Sequence, residues 1–465
     1  MRHVHASQAL LDAQRHAFDA APYPSLATRR DRLTRLATLT RRHRDEIAAA
    51  ISADVGHRAE METRVAEVAT VLQGARFTRR KLRRWMRPRR RPVGWRLLPA
   101  RAKVHYQPLG VIGIISPANY PWSLAWLPAI DALAAGNRVM IKPSENTPAT
   151  SALMARLAAR YFAPEELCVV EGDAEVARHF SALPFDHLLF TGSATIGREV
   201  SRAAAANLTP VTLELGGKSP ALVATDADLE KAAERIAFGK WLNAGRTCIA
   251  PDYVMVEASR LEAFLKAMQR QVARFYPEGT ASRDYSSVPG PEHRKRLEYQ
   301  LHEARNHGCR IIDLGERLEL PDGGAKLPPT LVVDPSDALA IMREEIFGPW
   351  LPVLGVRDMN AAIARVQAGH RPLALYAFTE DAALRQRLLE QTHSGGVVFN
   401  DTLWHNAVPA LPFGGIGESG SGAYHGEAGF QRFSHARAVF IQSRRSPVGW
   451  LTPPYRRWLL RMLGL

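Results

Sequence analysis

Cysteine is scarce in this chain, with three thiols, Cys168, Cys248 and Cys309, among 465 residues. They form no C-x-x-C pair and cannot all be bonded to one another, which excludes a disulfide-stapled scaffold and suits a reducing cytoplasm. No zinc-ligand spacing is present, so a metal site is not expected. The first twenty residues hold no apolar stretch of the kind that marks a secretory signal. Charge is missing from Leu109 to Ile130, 22 positions that pass a simple length test for a membrane span. That run contains Pro117, Pro121 and Pro128 with Gly110, Gly113 and Asn119, so it reads as a buried parallel strand, Val111–Ile115, leading into a loop and a helix. Acid is missing from Arg76 to Arg91, where ten of 16 residues are Lys or Arg in a chain of net charge +15. Such a patch suits nucleic acid or an anionic membrane, or else a solvated helix face. No nucleic-acid signature accompanies it, so the solvated face is the favoured reading and no nucleic-acid partner is expected.

What is present is ordinary globular material, 46% hydrophobic and 23% charged, in a chain long enough for two or three domains and a cofactor site between them. The first 85 residues read as helices. Met61, Val65, Val68 and Leu72 fall on one face at helical spacing, and Ser25 is placed to cap the segment starting at Leu26. From Pro108 the pattern becomes short apolar strands alternating with helices. The candidate strands are 111–115, 138–141, 167–170, 187–190 and 211–215, with helices at 122–135, 149–161 and 194–206 among them. That alternation predicts βαβ units in a doubly wound parallel sheet, with ligands at the carboxyl ends of the strands. Pro92 to Gln107 reads as a two-stranded excursion built on Val93-Gly94-Trp95 and Val104-His105-Tyr106. A second α/β block runs from Gly217 to Asn400, followed by a glycine-rich segment, Pro412 to Gly429.

The chemistry centres on Glu214 and Cys248, 34 residues apart and each set among small residues. A thiol is the best side-chain nucleophile near neutral pH, and a nearby carboxylate serves as general base. Two literal motifs are decoys. Gly415-Ile416-Gly417-Glu418-Ser419-Gly420 fits G-x-G-x-x-G but does not link a strand to a helix, and Gly217-Lys218-Ser219 lacks the glycine a phosphate loop needs at position 212, which is Thr212. The better phosphate cradle is His187 to Gly197, where a strand ends in Thr191-Gly192-Ser193 and a helix begins. Lys142 and Glu145, again at a strand end, are spaced to clasp ribose hydroxyls or to form a plain surface ion pair.

These pieces resemble the aldehyde dehydrogenase family over about nine-tenths of the chain. The matching motifs are Asn119-Tyr120-Pro121, Lys142-Pro143-Ser144-Glu145, Phe190-Thr191-Gly192-Ser193, Glu214-Leu215-Gly216-Gly217-Lys218, Gly245 to Cys248, Glu344-Glu345-Ile346-Phe347-Gly348-Pro349 and Leu411-Pro412-Phe413-Gly414-Gly415. Within the family the chain is most similar to the class 3-like branch and to bacterial coniferyl aldehyde dehydrogenases, through Pro88-Arg89-Arg90-Arg91-Pro92, Ser421 to Gly426 and Phe433-Ser434-His435. The resemblance implies a cofactor-binding domain from residues 1–85 and 108–216, a catalytic domain at 217–430, a small β oligomerisation arm at 86–107 and 431–445, and a tail at 446–465. It implies Cys248 as nucleophile, Asn119 as oxyanion donor and Glu214 as the base that activates water. It implies Lys142 and Glu145 at the adenine ribose, Thr191, Gly192, Ser193 and Gly197 near the pyrophosphate, and Glu345 and Phe347 at the nicotinamide. NAD is the expected cofactor with NADP tolerated, a small aldehyde the substrate, and a cytoplasmic homodimer the expected form.

Two departures stand out. Ala118 takes the place of a usual tryptophan, and Arg246 the place of a usual glutamine. An inward guanidinium would favour the thiolate of Cys248, whereas an outward one would change little. Trp122, Trp126 and Trp404 either flank a tunnel for an aromatic or medium-chain aldehyde or pack in the core. Enzymes of the same fold that pass the acyl group to another acceptor, and a binding protein without turnover, are alternatives against which Glu214 and the complete set Asn119, Glu214 and Cys248 argue. Finally, Tyr455, Trp458, Leu459, Met462 and Leu463 form a helical apolar stripe suited to packing over the substrate mouth or to peripheral contact with a membrane.

Overall fold

The computed structural model of the chain describes residues 2–321, 324–446, 452–454 and 458. The apolar stripe of the tail therefore lies, apart from Trp458, outside the described residues. Three helices open the fold: α1 (Arg2–Ala20), α2 (Leu26–Arg42) and α3 (Arg44–Val55). Ser25 caps α2 as expected, its hydroxyl accepting the N–H of Thr28 at 3.1 Å. α4 (Glu60–Thr63) then passes through a π turn, Arg64–Ala69, into α5 (Thr70–Trp85).

That π turn overturns the single apolar face expected for Met61, Val65, Val68 and Leu72. A π turn spends an extra residue and so rotates everything beyond it. Met61 and Val65 are 64% and 51% exposed, while Val68 is buried. The extra residue turns Glu67 fully inward. The carbonyl of Val65 accepts the Thr70 hydroxyl at 3.0 Å. Past the turn α5 is amphipathic, with Val71, Ala75, Leu82 and Trp85 buried and most of the basic side chains between Arg76 and Arg91 exposed as a solvated face.

β1 (Arg89–Arg91) and β2 (Arg101–Pro108) follow. The excursion differs from expectation, because Trp95–Leu97 forms a 3₁₀ turn rather than a strand. The alternation then appears within a residue or so of the predicted bounds: β3 (Val111–Ile115), α6 (Ser123–Ala135), β4 (Arg138–Lys142), α7 (Pro148–Tyr161), β5 (Leu167–Val169), α8 (Ala174–Ser181), β6 (His187–Thr191), α9 (Ala194–Ala205) and β7 (Val211–Glu214). Every residue of β3, β4 and β6 is buried, as strands covered on both faces require. The second block supplies β8 (Pro220–Val223), α10 (Leu229–Trp241), β9 (Tyr253–Glu257), β10 (Arg310–Asp313), the short pair β11 (Leu318–Glu319) and β12 (Ala325–Lys326), β13 (Thr330–Val333), β14 (Trp350–Val356), β15 (Ala374–Phe378) and β16 (Gly396–Phe399). β17 (Gly420–Ser421) and β18 (Ser434–Ile441) close the chain.

Apart from the pair β11-β12, three sheets organise these strands among the described residues. The first has the order β17-β7-β6-β3-β4-β5 and is parallel except where β17 runs against β7. The chain winds from β3 outward to β5, then returns to β6 on the other side, so the direction reverses between β3 and β6. That reversal is the crevice where doubly wound sheets bind ligands. The second sheet has the order β10-β13-β14-β9-β8-β15-β16. The third is antiparallel, β1-β2-β18, with Ser434 to Ile441 registered on Pro108 to Arg101.

The first sheet is tied to the N-terminal helices by a buried ion pair. Arg58 and Glu67 are both fully buried and lie 3.1 Å apart. The second oxygen of Glu67 accepts the N–H groups of Trp122 and Ser123, at 3.1 and 2.7 Å, at the start of α6. Removing one partner of such a pair leaves a charge buried and unpaired, so Glu67→Ala should lower stability by about 3–5 kcal/mol. Adding Arg58→Met should recover part of that loss. Urea midpoints of the two variants against the parent check both statements, and equal midpoints for the single and double variants would show that the orphaned charge is not the cause.

Candidate active site

Because β7, β6, β3 and β4 are neighbours in that order, their carboxyl ends present four predicted residues along one sheet edge. Glu214 ends β7, Thr191 ends β6, Asn119 follows β3, and Lys142 ends β4. Facing them are the loop after α10, which carries Cys248, and the segment 344–349 before β14.

The cysteine loop is a left-handed turn. Asn243, Ala244 and Gly245 have φ of 55°, 52° and 79°. This conformation costs roughly 1–2 kcal/mol for each residue with a Cβ, so it persists only where its surroundings fix it. Here the N–H of Asn243 donates to Glu62 Oε1 at 3.0 Å. Its side-chain amide donates to the carbonyls of Asn119 and Arg246 at 3.1 and 3.2 Å. Glycine is required at 245, since a Cβ there would lie 2.1 Å from the Gly348 carbonyl oxygen. The loop is thereby pressed against the segment holding Glu345 and Phe347.

Asn119 is fixed at both ends. Its carbonyl accepts Arg58 Nη1 at 2.9 Å as well as the Asn243 amide, and its own Nδ2 donates to the Arg246 carbonyl at 3.2 Å. That bond uses one of the two amide hydrogens. Glu214 is 2% exposed, and neither carboxyl oxygen has a partner among the described residues. Burial holds its pKa well above the usual range, opposed in part by Arg432. The Cys248 thiol is pushed up to about 12 by burial, and then by Glu345 and Glu214. Glu345 is itself raised to about 8, first by burial and then by Asp252.

Arg246 departs from expectation. Its guanidinium is 3% exposed, so it faces inward, but it donates to Asn243 Oδ1 at 2.7 Å and to the Ser287 carbonyl at 3.3 Å. Its pKa falls to about 9 through burial and the neighbouring Arg58. Asn243 and Ser287 thus hold the inward-facing guanidinium.

The residues predicted for the cofactor also gather at the sheet edge. Lys142 is buried, and its Nζ lies 3.6 Å from the carboxylate of the exposed Glu145. The hydroxyl of Thr191 is buried without a partner, the Gly192 N–H donates to the Glu214 carbonyl at 3.0 Å, and Ser193 caps α9. Gly197 serves close packing: a Cβ there would sit 2.8 Å from a Leu215 methyl. Glu345 lies over Gly216, where a Cβ would meet its carboxyl at 2.0 Å.

Two cavities flank Asn119. Cys248 opens onto one of about 120 Å³, walled by Val65, Leu124, Leu127, Phe238, Ile249 and Trp404 among others. On the other side a cleft of about 610 Å³ is lined by Ala118, Asn119, Arg246, His293 and Phe347. Of the three tryptophans, Trp404 lines the first cavity, half exposed and stacked on Phe238 with ring centres 6.2 Å apart. Trp122 and Trp126 are corrected to core residues, fully buried against one another. Sequence reasoning missed Arg58, Glu62 and Glu67, which carry no motif. It also missed Tyr424, whose buried hydroxyl has no partner among the described residues and whose phenol is raised by burial, then by Glu214 and Cys248. Its place in the segment Ser421 to Gly426 was the available signal.

A doubly wound sheet whose switch point faces a buried thiol defines a cofactor-dependent oxidoreductase. The model of the aldehyde dehydrogenase family matches residues 2–439, and the chain belongs to that family: it is an NAD(P)-dependent enzyme of aldehyde oxidation. It is 45% identical over 461 residues to a probable coniferyl aldehyde dehydrogenase of Pseudomonas aeruginosa, covering 99% of this chain and 96% of the relative. It is 46% identical over 428 residues to the coniferyl aldehyde dehydrogenase of Pseudomonas sp. strain HR199, covering 91% and 88%. The substrate-bound structure of Staphylococcus aureus AldH superposes with a TM-score of 0.93 at 35% identity, covering 98% of each chain. Among the described residues no helix is long and apolar enough to cross a membrane.

Since the raised thiol pKa leaves little thiolate near neutrality, alkylation of Cys248 by iodoacetamide in the free enzyme should be slow at pH 7 and climb with pH beyond 9. Arg246→Gln should leave that profile in place. A shift of the profile to higher pH would mean that the guanidinium does reach the sulfur.

Proposed function

We propose that this chain oxidises an apolar aromatic aldehyde, of phenylpropenal or benzaldehyde type, to the carboxylic acid through a thioester on Cys248, with NAD as the preferred cofactor. The observation that carries this reading is that Cys248 opens onto a cavity walled by aromatic and aliphatic side chains, with Glu214 in electrostatic reach of the thiol and Asn119 bonded to the same loop through the Arg246 carbonyl. The printed substrate of the two Pseudomonas relatives supports the aromatic part.

In this mechanism the thiol of Cys248 releases its proton to solvent as the sulfur bonds to the aldehyde carbon. The carbonyl oxygen takes the electron pair, and the free amide hydrogen of Asn119 and the Cys248 N–H stabilise it. The nicotinamide, when bound, supplies the acceptor for the hydride that leaves the thiohemiacetal. Glu214, made strongly basic by burial, then takes a proton from water as the water oxygen bonds to the thioester carbon. The carbon–sulfur bond breaks, the sulfur recovers a proton and the acid departs. Tyr424, buried and in electrostatic reach of both Glu214 and Cys248, lies beside the reacting groups.

The residues present fit a dinucleotide. The start of α9 offers backbone N–H groups beside Thr191 and Ser193, Lys142 and Glu145 stand at the neighbouring strand end, and Glu345 and Phe347 face the reacting groups. Glu145 would accept a hydrogen bond from a ribose 2′-hydroxyl and repel a 2′-phosphate, which is the basis for preferring NAD. The three-stranded sheet ends in β18, whose edge carries Phe440 and Ile441, each about half exposed, and this supports a homodimer.

Cys248→Ala should abolish NADH production from cinnamaldehyde. Asn119→Ala should cost about 10²–10³ in kcat, as loss of an oxyanion donor does elsewhere. Glu214→Gln should give a burst of NADH in rapid mixing, followed by little turnover. In the parent enzyme kcat should rise with pH as Glu214 gives up its proton, with that limb lying above the usual carboxyl range because burial raises its pKa. A missing burst, or the same acid limb in Glu214→Gln, would remove Glu214 from the deacylation step. On cofactor choice, kcat/KM should favour NAD over NADP, and Glu145→Gln should narrow the difference.

A further inference from the structure

The wall of the cavity in front of Cys248 is mostly apolar, but it includes one carboxyl group that the reaction as derived does not use, that of Glu62. The side chain is partly exposed, between the exposed Met61 and Val65, and lines the same cavity as the thiol. Each of its oxygens is already bound once. Oε1 accepts the Asn243 N–H at 3.0 Å and Oε2 accepts the Ser286 hydroxyl at 2.6 Å. A carboxylate offers about four acceptor positions, so capacity is left on the cavity side.

We propose that Glu62 is a specificity-determining residue that accepts a hydrogen bond from a hydroxyl at the far end of the aldehyde, which narrows the substrate class to hydroxylated aromatic aldehydes. This rests on the aromatic reading above. The physical reason is the cost of drying a carboxyl. When an apolar ligand fills the cavity, water leaves the free lone pairs of Glu62 and nothing replaces it. A phenolic hydroxyl replaces it with a short, charge-assisted bond. A site arranged in this way discriminates strongly against the analogue that lacks the hydroxyl. Burial and the nearby Arg58 pull the carboxyl in opposite directions, with burial the larger effect, so a donor that favours the ionised form gains most.

The test compares 4-hydroxycinnamaldehyde with cinnamaldehyde, by kcat/KM with NAD, in the full-length parent, in Glu62→Gln and in Ser286→Ala. Glutamine preserves the shape and can still accept the Asn243 N–H, while the charge is lost. The parent should favour the hydroxylated aldehyde, and Glu62→Gln should reduce that preference by about tenfold or more. Taking the ratio divides out any common loss from the cysteine loop that Glu62 also supports. Ser286→Ala keeps the carboxyl and frees a lone pair, so the preference should hold or increase. An unchanged ratio in Glu62→Gln, or the same collapse in Ser286→Ala, would overturn the assignment while leaving the aromatic reading intact. If the parent oxidises neither aromatic aldehyde, the aromatic reading itself fails and the assignment fails with it.

Discussion

The site depends on one interaction, the ion pair that Arg58 and Glu67 form out of water beneath Asn119. Glu67 neutralises Arg58 and receives the first N–H groups of α6, while Arg58 donates to the carbonyl of Asn119. From Asn119 the connection runs through the Asn243 amide into the left-handed turn that ends at Cys248. The donor and the nucleophile belong to different blocks of the chain, yet the same few hydrogen bonds set the distance between them. The π turn is what makes this possible. Without its extra residue, Glu67 would not face α6 while Glu62 faces the cavity, since the two lie five positions apart.

The parallel sheet was legible because its signals are local. Short apolar strands bounded by glycine and proline alternate with helical segments, and burial on both faces leaves few competing readings for runs such as Val111 to Ile115. Glu214 and Cys248 were legible for a related reason: reactive side chains stand out in segments otherwise made of small residues. The network under Asn119 was not legible. Arg58, Glu62 and Glu67 look like surface charges on a helix, and only a tertiary fold that buries them reveals otherwise. The misplaced stripe of Met61 and Val65 has the same origin, because a π turn has no sequence signature comparable to a cap or a breaker. The strand expected at residues 93–95 is displaced to Arg89–Arg91, which pairs with one edge of β2, while the other edge takes β18, more than 300 residues away.

The two departures from the family pattern share a location. Ala118 and Arg246 both line the larger cleft, on either side of Asn119. A small side chain at 118 leaves room there, and the Arg246 guanidinium, rather than projecting into that room, folds back onto Asn243 and Ser287. It steadies the Asn243 side chain, whose amide in turn holds the Asn119 carbonyl. Arginine at this place keeps a hydrogen-bonding role open to a glutamine, with longer reach and at the cost of a buried charge beside Arg58.

Burial also explains why nucleophile and base coexist without neutralising each other's function. In a wet site, a carboxylate beside a thiol would simply be ionised, and its proton affinity would be too low to draw a proton from water. Here burial raises the proton affinity of both Cys248 and Glu214, so each gives up its proton at higher pH than it would in water. Adding negative charge at Glu345 or Glu214 raises the thiol further, which keeps the sulfur from being committed before an aldehyde is present to share the charge. In the proposed mechanism, once the thioester has formed the thiol no longer competes for protons, and ionised Glu214, its proton affinity raised by burial, is the base left to activate water.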